Sequence, residues 1–205
     1  CNPRQVFNYC FAILFAKELN GDSSPGSFAT RKLAHRHGLF HLSAELLQLL
    51  SQDFKLGEPH WALRKEYVPR YLREVGYAML DLGDLRMSIR TFERLYEYGR
   101  AHGCNFADLA EYSLDLAMAL TSVDLEAAKR WLEEGRLLIA QLQPCQARQA
   151  VDLRRRHQGR LAQIHHAEGA YDAAIEICES LENELRGALV RYLAHTYSAC
   201  LGAEG

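Results

Sequence analysis

The stretch "LREVGYAMLDLGDLRMSIRTFERL", residues 72–95, decides how the whole chain is read. Two glycines, Gly76 and Gly83, bracket an apolar run, and a second apolar pattern begins at Leu85. A glycine-rich phosphate loop would end in Lys followed by Ser or Thr, and "GYAMLDLG" does not. The three- and four-residue spacing of apolar positions on both sides of Gly83 is that of helices. The stretch is therefore the corner of a helical hairpin. Gly83 closes the first helix in a left-handed conformation, and Asp84 caps the free N–H groups of the second. Gly76 and Ser88 are small where the two helices cross, and Phe92 fills space beyond the crossing.

The same order recurs. "RLAQIHHAEGAYDAAIEICESL" from Arg160 has Ala162, Gly169, Tyr171, Ala174 and Cys178 at matching positions. "RKLAHRHGLFHLSAELLQLL" offers Gly38, Phe40, Ser43 and Leu47. "LDLAMALTSVDLEAAKRWL" offers Val123 in the glycine's place, then Leu125, Ala128 and Leu132. "YLAHTYSACLG" reads as a further first helix without its partner. Periodic spacing extends along nearly all of the chain and predicts about ten helices, over 3–19, 27–37, 40–52, 61–82, 85–102, 106–121, 124–142, 145–168, 171–184 and 186–201. Pro69 should kink the fourth or restart it at Arg70.

This small–turn–large–small–bulky order resembles the tetratricopeptide repeat over residues 27–201. The turns at 38, 83, 123 and 169 lie 45, 40 and 46 residues apart, against about 34 in the standard repeat. The resemblance is thus to the long-helix form found in sensor regions of bacterial signalling ATPases and transcription regulators. It implies an all-α right-handed superhelix of stacked antiparallel hairpins. Residues 1–26 would form an N-terminal helix and linker, and 27–205 a repeat domain with its last repeat truncated.

Composition fits that picture. Of 205 residues 48% are hydrophobic and 24% charged, and the formal net charge is -2. Such a balance gives no electrostatic drive toward nucleic acid or an anionic membrane. No apolar run is long enough to span a bilayer. Six cysteines without CxxC spacing read as reduced thiols on helical faces, in a cytoplasmic protein. The start lacks Met, which reads as a fragment of a longer protein. A lipidated Cys1 is the competing reading, set aside because no flexible tether follows it.

Sites follow from the resemblance. In that family the first helix of each hairpin lines a groove that grips peptides or partner helices. Its matching positions here are Lys32, His35 and Arg36, then Arg70, Arg73, Tyr77 and Asp81, then Arg156, Gln163 and His166. The middle repeat supplies Ser113, Ala117 and Leu120, giving cationic ends around an apolar centre. That surface suits an amphipathic segment carrying acidic groups. The expected partner is a protein, a peptide or another domain of the same chain. The alternative is a nucleic-acid contact through Arg154, Arg155, Arg156 and Arg160. No cofactor and no metal are expected: His37 and His41 are four apart, but Gly38 lies between them as a hairpin turn, and no carboxylate motif of the HExxH kind accompanies them or the His165–His166 pair. Cys104 near His102 is the one pair that invites an enzymatic reading, and adjacency in sequence does not assemble a catalytic pair.

Overall fold

The computed structural model describes residues 63–202, with side chains as far as residue 186, together with positions 44–45, 47–48 and 58–59. The expected helices at 3–19 and 27–37, and most of that at 40–52, lie outside the described residues. The fold is all-α. A 3-10 turn, Lys65–Tyr67, leads into α1, Val68–Asp81. Then come α2, Leu85–Ala101, α3, Phe106–Leu120, and α4, Leu125–Ala140. A second 3-10 turn, Pro144–Gln146, precedes α5, Ala147–Ala167, and α6 is Tyr171–Gly202.

Turn chemistry sets most of these boundaries. Gly83 and Gly169 sit at φ +80° and +78°, the left-handed conformation that closes α1 and α5. Asp84 accepts from the Met87 N–H at 3.0 Å and so caps α2. Asp124 does the same for α4 through the Ala127 N–H at 2.9 Å, which explains how that corner manages without a glycine. At the α5–α6 corner Ala170 occupies the cap position, its carbonyl accepting from Ala174 N–H, and Asp172 stands in the first turn.

Two helix boundaries correct the sequence reading. The helix expected over 61–82 begins at Val68, with Pro69 in its first turn. A proline there lacks only an N–H that would have had no partner. The helices expected at 171–184 and 186–201 are one, because "NELRGAL" contains Gly187 but no proline and no cap, and one glycine does not stop a helix.

Consecutive helices pack on one another, most extensively α3 on α4 and α1 on α2, then α2 on α3 and α5 on α6 equally, while α5 also packs on α3. The core runs through them by way of Tyr71, Val75, Phe92, Leu95, Leu114, Leu116, Ala128, Leu132 and Ile164. The α1–α2 crossing is as close as its small residues allow. A Cβ on Gly76 would stand 2.6 Å from Phe92 Cε1, and Ser88 Oγ donates to the Gly76 carbonyl at 2.8 Å. Gly99 against Leu109 and Tyr112, and Gly135 against Ser113 and Leu114, make two more such crossings. At the far end the pattern is not met: Tyr171 and Cys178 are exposed, where Leu85 is half-buried and Phe92 buried.

Candidate functional site

Three helices, α1, α3 and α5, carry one continuous polar ladder. On α1, Arg73 and Tyr77 are one turn apart and both reach α3. Arg73 Nε donates to Asp115 Oδ2 at 2.7 Å, and Arg73 Nη1 lies 2.8 Å from Glu111 Oε2. The Tyr77 hydroxyl donates to Asp115 Oδ1 at 2.5 Å. From the other side Arg156 of α5 donates to Glu111 Oε1. The Tyr77 ring meets Phe92 edge to face, with 5.3 Å between centroids, which ties the ladder to the α1–α2 crossing.

Burial makes this arrangement consequential. Asp115 is 2% exposed. Burial works against the Arg73 charge, but the carboxylates of Asp115 and Glu111 outweigh it and hold the guanidinium well above its ordinary pKa. Arg73 is thus a fixed cation, and removal of either partner strands a charge in a poor solvent for it. One of its nitrogens, Nη2, is buried with no hydrogen-bond partner among the described residues.

Arg73 also lines a cleft of about 520 Å³ between the Lys65–Tyr67 turn, α1, and the α2–α3 corner. Its wall includes Arg70, Tyr98, His102, Cys104 and Tyr112 and three carboxylates, Glu66, Asp108 and Glu111. Burial lowers the Arg70 pKa, with Glu74 and Tyr67 acting against it. Asp108 is raised by burial and then by Glu111. Cys104 is raised by burial and then by Asp108, so its thiol form is favoured over the nucleophilic thiolate. His102 Nδ1 is engaged 2.9 Å from the Tyr98 carbonyl, and its ring stacks on Tyr98. These groups arrange a polar recess rather than an activated nucleophile.

The remaining expected residues fall as follows. Lys32, His35 and Arg36 lie outside the described residues. Asp81 is half-buried at the end of α1. Gln163 accepts from Arg160 Nη1 at 2.9 Å, and the His166 ring packs edge-on to Tyr171 at 5.4 Å, both on a second groove far along α5. The apolar centre is not there: Ser113, Ala117 and Leu120 are buried in the core. The face that α3 turns to its neighbours carries Asp108, Glu111 and Asp115 instead, one turn or so apart. Those acids are what the sequence reading missed. The signal was present, since "EYSLD" sets Glu111 and Asp115 four apart, the same spacing as Arg73 and Tyr77 on α1.

Two of the four arginines of the basic run on α5 meet acids, and a third bonds a neutral amide. Arg155 lies 3.3 Å from Glu184 and 3.7 Å from Asp152, Arg156 meets Glu111, and Arg160 meets Gln163. Among the described residues no three His, Cys, Asp or Glu side chains are grouped to hold a metal ion, and no helix is long and apolar enough to cross a membrane. Comparison with family models, with curated proteins and with solved structures finds no match for the chain.

Proposed function

We propose that the chain is a tetratricopeptide-like interaction module of a larger regulatory or signalling protein, which binds a protein or peptide segment across the first helices of its hairpins. The observation that carries this reading is the recess beside the ladder, with Arg73 Nη2 buried and lacking an acceptor among the described residues. A buried donor without a partner costs roughly 1–3 kcal/mol, which an incoming carboxylate or carbonyl oxygen would recover. The segment that fits is amphipathic and acidic. One of its carboxylates enters between Arg70 and Arg73, and its apolar side rests on Tyr98 and Tyr112. Of the acids on the wall, Glu111 is already taken up by Arg73 and Arg156, and burial and Glu111 raise the pKa of Asp108, which favours its neutral form; Glu66 stands at the rim beside Lys65.

The test is fluorescence anisotropy with a labelled amphipathic peptide bearing two glutamates, against its glutamine counterpart. The acidic peptide should bind at least about tenfold tighter, and Arg70→Glu should abolish the difference, as expected for a charge-assisted hydrogen bond. Equal binding of both peptides, or no effect of the substitution, would reject the recess as the site. A nucleic-acid role for α5 has less support, because Arg155 and Arg156 of its basic run are paired with acids within the fold.

A further inference from the structure

Two hydrogen-bond donors stand in the recess without an acceptor among the described residues. Arg73 Nη2 is one, buried behind the contacts to Asp115 and Glu111 that fix the rest of its guanidinium. The Tyr112 hydroxyl is the other. Tyr112 is only 7% exposed and lines the recess, yet its hydroxyl bonds no described residue. The ring is backed by α2: a Cβ on Gly99 would stand 3.1 Å from Tyr112 Cε2, so the ring lies close against that helix and has little room to turn away. Burial, then Asp108 and Cys104, hold the hydroxyl's pKa well above its ordinary value, and Arg73 acts against them. The hydroxyl therefore keeps its proton, remains a donor, and stands within electrostatic reach of the Arg73 charge.

The charges of the wall limit what these donors can receive. Lys65, Arg70 and Arg73 are matched one for one by Glu66, Asp108 and Glu111, so the formal charges cancel. Neutral His102 adds none, with Nδ1 turned to the Tyr98 carbonyl. A carboxylate brings one negative charge on two oxygens, and two donors await it. A phosphate monoester brings a charge of about −1.5 to −2 and three acceptor oxygens. Sites that read phosphate gather arginines in clusters, and here each cation has an acid beside it. The second charge of a phosphate would stay uncompensated against Asp108 and Glu111, in a recess where burial makes that costly.

We propose that the recess selects a side-chain carboxylate over a phosphate, with Tyr112 as the residue that completes the selection. One carboxylate oxygen accepts from Arg73 Nη2 and the other from the Tyr112 hydroxyl. This rests on the reading of the recess as the docking point of an acidic segment, and it specifies that the entering residue is an unmodified glutamate or aspartate. Phosphoserine in its place is refused. A glutamine is also a poor match, because its amide turns an N–H toward one of the two donors.

Fluorescence anisotropy with one labelled amphipathic peptide, carrying glutamate, glutamine or phosphoserine at its two acidic positions, tests this on the 205-residue chain. On wild type at neutral pH the glutamate form should bind at least about tenfold tighter than the phosphoserine form. Tyr112→Phe removes only the hydroxyl. It should weaken the glutamate form at least about fivefold and shift the glutamine form no more than about twofold, with thermal melting unchanged. Phosphoserine bound as tightly as glutamate, or a glutamate affinity indifferent to Tyr112→Phe, would overturn the proposal and leave the docking reading in place. Equal wild-type binding of the glutamate and glutamine forms would remove the docking reading and the proposal together. The phosphoserine arm uses the unaltered chain, so it decides even where Tyr112→Phe disturbs folding.

Discussion

Gly76 shows how one side chain's absence organises its surroundings. The Phe92 ring occupies the volume a Cβ would take, and that ring is in turn held by Tyr77. Gly76→Ala should therefore lower stability by roughly 1–3 kcal/mol through overpacking, although alanine is the better helix former by up to about 1 kcal/mol. Adding Phe92→Leu to Gly76→Ala should cost less than Phe92→Leu alone, because it relieves the clash; equal costs in thermal melts would refute the crossing. His157 makes a different residue-scale prediction. Burial holds its pKa below the ordinary value, with Glu133 acting to raise it and Arg136 to lower it further. The unfolded chain, near pH 6.5 for histidine, then binds the proton more readily than the fold does. Stability from this group is intact above about pH 6.5 and is lost as pH falls through the lower folded value. Urea midpoints at about pH 7.5 and pH 5, on either side of that range, should differ more in wild type than in His157→Gln, and an unchanged difference would remove His157 from the account.

At the scale of elements, the helices owe their ends to a few legible residues and their mutual contacts to less legible ones. Gly83, Asp84, Gly169 and the small residues at 76, 88, 162 and 174 could be read from spacing, because turn geometry and close crossing admit few alternatives. The register of α3 could not. "SLDLAMAL" is so rich in small and apolar residues that more than one face qualifies as core, and the face assigned to the groove proved to be buried. The acids that do join α3 to α1 and α5 become visible only when opposite charges on different helices are matched. A double-mutant cycle measures that junction. Arg73→Met or Asp115→Leu alone should each cost roughly 3–5 kcal/mol, since each strands a buried partner. The double variant should cost at least about 1 kcal/mol less than their sum. Strict additivity would mean that α1 and α3 are joined by apolar packing alone. The continuous α6 is the other illegible element, since a glycine without a cap or a proline is ambiguous between helix interior and corner.

For the whole molecule, long side chains of α1, α3 and α5 reach one another, so that residues more than forty positions apart in sequence meet in one ladder. Because Arg73 is already held by Asp115 and Glu111, the proposed binding at the recess beside it would need little reorganisation of that side chain, which favours affinity. The most direct test of peptide binding at this recess is amide hydrogen exchange on the chain with and without the acidic amphipathic peptide. The expected result is added protection concentrated at residues 65–73 and 102–112, on both walls of the recess, with little change along α4. Protection confined to α4, or no localised protection at a saturating peptide concentration, would contradict it.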